Sequence, residues 1–482
     1  MHIVDMVYFW ARTMPRQLAV IQPEGVVTYQ ALAQGIESAA VYFAASVTDK
    51  SKPVTVSLPS APKMLIASLG LLRAGCSIIV ANPADLIHIP LVDSNTLVYE
   101  RGGTTLNERE NIVFDESWLE LGATAPRLSR QLPQPRTRNA DVYFFTSGTT
   151  GRPKRIIRTQ KAWDHRILFN ATSAFADYER ALLMTGVNNA MGFTRAYEVL
   201  YAGKTLCFAP IGQPMLWLAN IYDIDLIIAS PQQALGLAEL QEKVTQYPLA
   251  ALKTIRIGGS VMSRDGINRI MKHLCRNIII AYSSTEAGVA ALAPHDMIVD
   301  IPNAVGFVIP EAEIQIVDAE GNNLPVGSEG FVRLRTAQFL ANFDIEDAKT
   351  WYYPGDVGWL TENGVLCIAG RKGDVLNRGG VKLSVTDFEE FLRSSPGVRD
   401  AGVCTLMGAS GFEEVWIGIV LAPSADIGTL RGRIEANANF GTNIDKLFVV
   451  DAVPRGALGK IQRDKLKDLL QSIAEDSDKP AS

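Results

Sequence analysis

Residues that could bind a phosphate group directly follow the apolar run 142–145. The nine residues after this run include four hydroxyl side chains, two glycines and a terminal lysine: Thr146, Ser147, Gly148, Thr149, Thr150, Gly151, Arg152, Pro153 and Lys154. Glycines let a backbone approach an anion closely, and exposed N–H groups and a lysine attract phosphate oxygens. Glycine, serine and threonine are also turn residues, so an ordinary surface turn is the alternative. We predict a phosphate-binding loop.

The spacing of this segment differs from that of a classical P-loop. In a P-loop, four residues separate the two glycines and the lysine directly follows the second one. Here two residues separate Gly148 from Gly151, and two more stand before Lys154. A P-loop kinase or ATPase, which would release ADP, is therefore disfavoured.

The string TSGTTGRPK resembles the phosphate-loop signature of the acyl-adenylate-forming (ANL) superfamily. That superfamily includes AMP-dependent acyl- and aryl-CoA synthetases, adenylation domains of peptide synthetases and beetle luciferase. The resemblance implies that ATP and Mg²⁺ are used to convert a small carboxylic acid into an acyl-adenylate and pyrophosphate. It further implies transfer of the acyl group to a thiol, most simply that of CoA. Other motifs of the family follow in order and cover most of the chain.

The segment YSSTE (282–286) resembles the family's aromatic-Gly-x-Thr-Glu motif. The resemblance implies that Glu286 helps to hold Mg²⁺, that Thr285 contacts the α-phosphate and that Tyr282 flanks the adenine. A carboxylate suits Mg²⁺, which proteins bind through few side chains together with substrate phosphates. Ser283 stands where glycine is usual, so we expect the pocket wall to differ there. Alone, this pentapeptide could also be a helix cap.

Two more segments resemble nucleotide-binding parts of the family. Gly258, Gly259 and Ser260 resemble the Gly-Gly-small segment beside the adenine and the acyl pocket, although Gly-Gly alone is more often a turn. The segment YPGD (353–356) resembles the family's Thr-Gly-Asp. There the resemblance implies that Asp356 accepts hydrogen bonds from the ribose hydroxyls, a role that suits a charged acceptor.

The segment GRKGDVLNRGG (370–380) resembles the family's hinge motif. The resemblance implies that Arg371 contacts the ribose, that Gly373 is the hinge residue and that Gly380 lines the tunnel for the pantetheine thiol. Glycine frees the backbone at a pivot. The family commonly has Asp or Lys at the hinge, so Gly373 is a departure from the motif.

The segment PRGALGKIQR (454–463) resembles the C-terminal motif whose lysine performs adenylation. The resemblance implies that Lys460 stabilises the α-phosphate and the attacking carboxylate, although a lone loop lysine is usually a solvated surface residue. Adenylation, in which the carboxylate attacks the α-phosphate, depends on positioning and on electrostatic stabilisation. In the family, the C-terminal domain then rotates about the hinge, removes the lysine and opens the thiol channel.

The residues that would recognise the acid are less well defined. From the segment 187–193 and its surroundings we predict Asn188, Met191, Phe193 and Ser283 as acid-pocket residues. Asparagine would suit a polar acid, whereas Met191 and Phe193 could line an apolar pocket or belong to the core. An aspartate that would anchor an α-amino group is not evident, so activation of an amino acid is less favoured.

Alternating strand-like and helical patterns indicate the elements that position these motifs. They predict helices at 30–44 and 62–74, and strands at 76–80, 141–145, 205–209, 225–229, 254–257 and 277–281. This alternation is typical of an α/β fold with a parallel sheet. Strand-like runs at 313–317 and 330–334, separated by turn residues, predict antiparallel sheet instead.

We therefore predict a large N-terminal domain of stacked α/β subdomains with a small β-rich lobe, followed by a small mobile α+β domain. The predicted boundaries are 1–370 for the ATP- and acid-binding domain, 371–374 for the hinge and 375–482 for the domain that carries the catalytic lysine. The charged tail 474–482 has a composition typical of disorder.

The bulk composition excludes several other classes. A net charge of −5 gives no electrostatic case for nucleic acid or for an anionic membrane. The apolar stretch 64–72 falls far short of the ~20 residues that span a bilayer. Five scattered cysteines without a CxxC pair predict neither disulfides nor a zinc site. The first residues do not resemble a signal peptide, so we expect a cytoplasmic protein.

Two alternatives to an acyl- or aryl-CoA synthetase remain open at this point. One is a stand-alone adenylation enzyme that loads a carrier protein or makes an amide. No carrier-protein domain is evident in the chain, which favours a free-standing ligase. The other is a non-catalytic ATP-binding protein, which the presence of Lys460 and Glu286 disfavours.

Overall fold

The computed structural model describes residues 3–82, 86, 89, 93–103, 105, 109–119, 140–147, 153–172, 177–259, 264–340, 350–371, 375–378, 381–407, 413–423, 425–436, 444–456, 459 and 461–477. The helices in these ranges are α1 (Ile3–Thr13), α2 (Tyr29–Ser46), α3 (Ala61–Arg73), α4 (Gln160–Thr172), α5 (Ala190–Tyr201), α6 (Gln213–Ile221), α7 (Pro231–Lys243), α8 (Arg264–His273), α9 (Ala337–Leu340), α10 (Val385–Arg393), α11 (Ile427–Glu435) and α12 (Arg463–Ser477).

The strands of the N-terminal half are β1 (Leu18–Gln22), β2 (Gly25–Thr28), β3 (Val54–Ser57), β4 (Ile78–Val80), β5 (Thr96–Tyr99), β6 (Glu110–Val113), β7 (Val142–Ser147), β8 (Pro153–Arg158), β9 (Arg180–Leu183), β10 (Thr205–Cys207), β11 (Leu226–Ala229) and β12 (Thr254–Gly258). Those that follow are β13 (Ile278–Ser284), β14 (Gly288–Pro294), β15 (Ala304–Val308), β16 (Ala312–Val317), β17 (Gly330–Thr336), β18 (Asp356–Leu360), β19 (Val365–Arg371), β20 (Val375–Arg378), β21 (Val381–Ser384), β22 (Val398–Met407), β23 (Glu413–Leu421) and β24 (Lys446–Val449).

The largest sheet has thirteen strands in the order β16-β17-β18-β19-β15-β14-β13-β12-β11-β9-β10-β1-β2. From β1 through β10, β9, β11 and β12 to β13 the neighbours are parallel, as the alternating pattern predicted. From β13 to β16 they are antiparallel, which confirms the antiparallel prediction for the region that follows. The β-rich lobe is thus a continuation of the large sheet, because β14 turns back along the last parallel strand.

A second sheet has six strands in the order β6-β5-β3-β4-β7-β8, and only the last pair, β7 with β8, is antiparallel. The two sheets share one large core. Its buried side chains come from both sheets and from the helices between them, for example Val56 of β3, Leu183 of β9 and Phe193 of α5. Burial of this apolar surface on both sides of the helices fixes the two sheets relative to each other.

Local sequence explains where the helices behind the parallel strands begin. Before α7, Ser230 and Gln233 form a reciprocal capping box, followed by proline in the first turn. Before α5, the Asn189 side chain accepts a hydrogen bond from the Gly192 N–H. Such caps satisfy backbone donors that have no partner inside the helix. Both helix starts therefore lie at fixed points beyond the carboxyl ends of their strands.

The last hundred residues form smaller units, with a hairpin of β20 and β21 and a three-stranded sheet in the order β22-β23-β24. Helices α10 and α11 cover one side of that sheet, and α12 contributes Leu466 and Leu470 to a separate cluster on the other. The helix α12 continues to Ser477, so the first four residues of the tail expected to be disordered are helical. No helix in the described ranges is long and apolar enough to cross a membrane.

Candidate active site

The carboxyl ends of β12 and β13 bring two of the sequence motifs together. In the parallel register Gly258 lies beside Ala281, so the Gly-Gly segment stands next to Tyr282. Gly259 has φ +106°, a conformation that favours glycine, and a Cβ there would meet no described atom within 4 Å. Ligands of parallel α/β sheets bind in the crevice outside the carboxyl ends of the strands. This edge is therefore the candidate site.

A hydrogen bond links two motifs that are far apart in the chain. The Tyr282 hydroxyl donates to the Asp356 carboxylate at 2.5 Å, across 74 residues of sequence. Asp356 is buried, and in the antiparallel pair of β18 and β19 it lies directly opposite Arg371. The two residues expected to hold the ribose are thus cross-strand neighbours beside the aromatic residue expected at the adenine.

The turn between β13 and β14 carries Thr285 and Glu286, both half-buried. A bulge follows Tyr282 in the β13–β14 pair. The Ser284 hydroxyl accepts a hydrogen bond from the Ala287 N–H at 2.9 Å, and the Thr336 hydroxyl donates to the Ala287 carbonyl at 2.6 Å. These bonds hold the turn from both sides, so the Glu286 carboxylate is placed by backbone that has little freedom to move.

A buried arginine stands close to that carboxylate. Arg158, the last residue of β8, is 1% exposed. Burial lowers its pKa well below the ordinary value, the charge of Arg166 lowers it further, and the negative charge of Glu286 opposes the shift. The side chain of Gln338 packs against Arg158 and against Gly288. The strand β8 is therefore coupled electrostatically to Glu286 through Arg158.

The strands that flank the predicted phosphate loop are antiparallel neighbours. Thr146 pairs with Lys154, and Ser147 pairs with Pro153. The residues between them, which include Gly148, Thr149, Thr150 and Gly151, lie outside the described residues. A P-loop connects a strand to a helix, whereas this loop connects two antiparallel strands. The geometry therefore agrees with the spacing in excluding a P-loop.

Lys460 lies outside the described residues, but both of its neighbours are described. Gly459 has φ +76°, and a Cβ there would collide with the Gln232 side chain at the start of α7. Arg455 donates two hydrogen bonds to the Asp400 carboxylate, at 2.9 and 2.5 Å, and one to the Gly459 carbonyl. Gly459, the residue before Lys460, is thus tied through Arg455 to β22 and lies against the start of α7.

Three other predicted residues, Ser260, Gly373 and Gly380, also lie outside the described residues. Of the hinge motif, Arg371 ends β19, and β20 begins at Val375. The assigned roles of the hinge and of the thiol tunnel therefore stay predictions.

The predicted acid-pocket residues do not share one environment. Asn188 donates a hydrogen bond to the Asn82 side chain at 2.5 Å, and Met191 and Ser283 are half-buried. Phe193 is 0% exposed. Its ring lies 4.4 to 5.9 Å from the rings of three core residues: Tyr197, Trp163 and Phe144. Of the two interpretations of Phe193, the structure supports the core residue.

A buried group of charges was not predicted from the sequence. Arg166 of α4, Arg195 and Glu198 of α5, and Arg256 of β12 are each at most 7% exposed. They come from three elements, so no spacing along the chain connects them. A signal was present in the strand TIRIG, where Arg256 interrupts an apolar run that must be buried between helices.

Glu286 also fits the role of a magnesium ligand. In the described part of the chain, no group of three or more His, Cys, Asp or Glu residues could hold a metal ion by itself. Mg²⁺ is usually held by one or two carboxylates together with substrate phosphates and water. One half-buried carboxylate just beyond the end of β13 suits that kind of site.

Comparison with known proteins finds relatives over most of the chain. The family model of AMP-binding enzymes matches residues 8–341. A 4-chlorobenzoate–CoA ligase from Arthrobacter is 23% identical over 99% of this chain and 97% of its own length. The salicyl-AMP ligase / salicyl-S-ArCP synthetase of Mycobacterium tuberculosis is 26% identical over 94% of this chain and 88% of its own length.

Solved structures show the same fold. The o-succinylbenzoate coenzyme A synthetase MenE from Bacillus subtilis, in complex with AMP, superposes with a TM-score of 0.80 at 19% identity and covers 96% of this chain and 98% of its own. The amide bond synthetase McbA from Marinactinospora thermotolerans has a TM-score of 0.75 at 19% identity, with 97% and 99% covered. Because the family model matches well over half of the residues, the chain belongs to the ATP-using family of AMP-binding enzymes.

Proposed function

We propose that this protein is an AMP-forming carboxylic acid–thiol ligase. It uses Mg-ATP and a small carboxylic acid to make an acyl-adenylate and pyrophosphate, and it transfers the acyl group to CoA. The observation that carries this proposal is the contact between the Tyr282 hydroxyl and the buried Asp356, with Arg371 opposite. It joins three family motifs at the sheet edge where Glu286 also lies.

The proposed first half-reaction is an attack of the carboxylate oxygen on the α-phosphorus, with pyrophosphate as the leaving group. Asp356 and Arg371 hold the ribose, and the hydroxyls of the loop 146–151 with Lys154 hold the β- and γ-phosphates. Glu286 would hold Mg²⁺, which supplies neutralisation of phosphate charge. Lys460 and Thr285 stabilise the α-phosphate. Both reactants are anions, so fixed cations and donors in a dry site lower the barrier most.

The proposed second half-reaction requires that Lys460 leave the site. We infer that residues 375–482 form a domain that rotates about Gly373, as in the family that the motifs resemble. The contact of Gly459 with Gln232 supports an adenylation arrangement in the present structure, because it places the neighbour of Lys460 on the N-terminal part. After rotation, Gly380 would line the path of the incoming thiol.

The second candidate function differs only in the acceptor. One relative of similar length is named a salicyl-S-ArCP synthetase, and one solved structure of the same fold is an amide bond synthetase. Both names indicate an acceptor other than CoA for the acyl group of an acyl-adenylate. A carrier protein or an amine is therefore the alternative acceptor.

Pyrophosphate release from Mg-ATP, measured with fatty, aryl, dicarboxylic and amino acids in the presence and absence of CoA, tests the proposal. We expect release with one class of acid, a faster rate with CoA and an acyl-CoA product detected by mass. Release that does not respond to CoA would favour the carrier-protein or amine acceptor. No release with any acid, despite measurable ATP binding, would contradict the proposal.

A further inference from the structure

An inward-facing arginine ends the strand β8. Arg158 is the last residue of that strand and is 1% exposed, and Ile156, two residues earlier, is also buried. Ile157, which lies between them, is exposed. Because side chains alternate along a strand, the guanidinium of Arg158 is directed into the protein and away from solvent.

The helix α9 connects Arg158 to the turn that carries Glu286. The Thr336 hydroxyl, directly before α9, donates to the Ala287 carbonyl of this turn at 2.6 Å. The Gln338 amide accepts a hydrogen bond from the Arg158 guanidinium when its oxygen is turned toward it. A Cβ on Gly288, the residue that ends the turn, would collide with the same amide. A single amide group thus separates the guanidinium from the backbone of the turn.

The charge of Arg158 acts on Glu286 from inside the protein. A guanidinium is not deprotonated in proteins, so the positive charge persists even at 1% exposure. The negative charge of Glu286 favours this cation, and the positive charge of Arg166 disfavours it. Salt screens a buried charge much less than an exposed one. The interaction between Arg158 and Glu286 is therefore present before any ligand binds.

A divalent cation at Glu286 would meet the repulsion of this fixed charge. Like charges repel more strongly in a protein interior than in water. Mg²⁺ is usually held by one or two carboxylates together with substrate phosphates. ATP and pyrophosphate carry enough negative charge to offset the repulsion from Arg158, whereas the carboxylate of Glu286 alone carries one charge.

We propose that Arg158 is a positioning residue that neutralises Glu286 between turnovers, so that this carboxylate holds Mg²⁺ only together with ATP or pyrophosphate. This inference rests on the proposed function, and it adds a control on when the metal is bound. Arg158 acts through Glu286 and through its own charge. The release of pyrophosphate would then also release the metal, which leaves the site ready for the next Mg-ATP.

The test measures binding of Mn²⁺ alone to the protein without nucleotide, through the loss of the electron paramagnetic resonance signal of the free ion. We expect Arg158→Met to bind Mn²⁺ at least about tenfold more tightly than the wild type, because a nearby positive charge is removed. The gain should disappear in the double variant Arg158→Met with Glu286→Gln. An arginine with a merely structural role would not produce a gain in affinity when it is removed.

Two further variants are controls for charge and for place. Arg158→Lys keeps the positive charge, so its affinity for Mn²⁺ should stay near that of the wild type. Arg73→Met removes another buried arginine, whose carboxylate partner is Glu37. It should leave the affinity for Mn²⁺ unchanged. A gain in Arg73→Met equal to that in Arg158→Met would overturn the inference.

The outcomes separate this inference from the function on which it rests. Equal affinities in the wild type and Arg158→Met, or a gain that persists with Glu286→Gln, would overturn the role of Arg158 and leave the ligase standing. An absence of pyrophosphate release with any acid would overturn the proposed function itself.

A second measurement applies if Arg158→Met does not fold. Glu286→Gln alone leaves Arg158 buried without the negative charge of that carboxylate, and loss of one partner of a buried charge pair is strongly destabilising. We expect the Tm of this variant, measured without metal, to fall by about 3 °C or more. A Tm that is unchanged or higher would overturn the inference.

Discussion

At the scale of single residues, the contact between Tyr282 and Asp356 is the most informative in the molecule. A buried carboxylate normally needs donors to offset the loss of water. The Tyr282 hydroxyl supplies one donor, and the ribose hydroxyls would supply two more. Asp356 is therefore held in place before ATP binds. A fixed carboxylate favours a single orientation of the bound ribose.

We expect Asp356→Asn to weaken ATP binding strongly. The amide keeps the shape of the side chain but removes the negative charge that the ribose hydroxyls would face. Hydrogen bonds to a charged group contribute about 1.5–3 kcal/mol, so kcat/KM for ATP should fall by about 10- to 100-fold. Initial rates of pyrophosphate release at varied ATP give this value.

Tyr282→Phe is the control for this prediction. It removes the hydroxyl and leaves the carboxylate, so its effect on kcat/KM for ATP should be smaller than that of Asp356→Asn. A larger effect for Tyr282→Phe, or no effect for Asp356→Asn, would show that Asp356 serves the local structure rather than the ribose.

Lys460→Ala should separate the two half-reactions. Removing one preorganised stabiliser of developing charge lowers a rate by about 10²–10³, so adenylation should fall by that factor. Transfer of the acyl group to CoA from preformed adenylate should continue, because Lys460 is expected to leave the site before that step. Equal losses in both half-reactions would contradict the role given to Lys460.

Single residues also show which features of the site could be predicted from the sequence. The motif residues could be proposed because their types and order are specific. Phe193 was ambiguous, because the residues near it in sequence do not indicate that the rings of Trp163 and Phe144 pack around it. Arg256 was missed because its partners come from α4 and α5. Contacts between distant elements leave little trace in local patterns.

At the scale of elements, strand ends and helix caps place the site. The loop that follows Arg455 is a good example. Arg455 bridges to Asp400 of β22 and to the carbonyl of Gly459, so the residue before Lys460 is held near β22. Gly459 then approaches the Gln232 side chain closely, with a backbone conformation that favours glycine.

Gly459→Ala should therefore impair adenylation. An L-residue in the left-handed region costs about 1–2 kcal/mol, and the added methyl group would also collide with Gln232. We expect the adenylation rate to fall by about tenfold or more, with thioester formation from preformed adenylate much less affected. Stopped-flow or quench measurements of the two half-reactions provide the comparison.

The double variant Gly459→Ala with Gln232→Ala tests the cause. It removes the collision but keeps the backbone strain, so it should recover part of the lost rate. No recovery, together with an equal loss in thioester formation, would mean that the loop is disturbed in both arrangements. The contact with α7 would then have no special part in adenylation.

Most elements were predictable because apolar periodicity reflects burial on one or two faces. The strands β11, β12 and β13 begin within a residue of their predicted starts, as do helices α2 and α3. The helical end of the tail was not predicted, since its charged composition resembles disorder. Leu470 and Ala474 pack into the cluster under β22, and this tertiary contact extends the helix.

At the scale of the whole molecule, four of the five thiols are buried, each in a different apolar cluster. Cys76, Cys207, Cys367 and Cys404 are buried, and Cys275 is half-buried. Burial raises the pKa of all five thiols, that of Cys404 to about 12. Because the thiolate is the reactive form, the native protein should react slowly.

We therefore expect a thiol reagent at pH 8 to modify Cys275 first and the other four cysteines only when the chain unfolds. Absorbance from Ellman's reagent, with and without guanidinium chloride, measures the number of reactive thiols in the unfolded and in the native protein. Fast reaction of several thiols in the native protein would contradict the burial of these four cysteines.

The central claim is that a carboxylate oxygen of the acid attacks the α-phosphorus of ATP. The most direct measurement uses an acid with both carboxylate oxygens labelled with ¹⁸O, in a reaction with Mg-ATP and CoA, and mass analysis of the nucleotide product. An acyl-adenylate mechanism predicts AMP that carries one labelled oxygen per turnover. Unlabelled AMP, or ADP with the label in phosphate, would contradict the account.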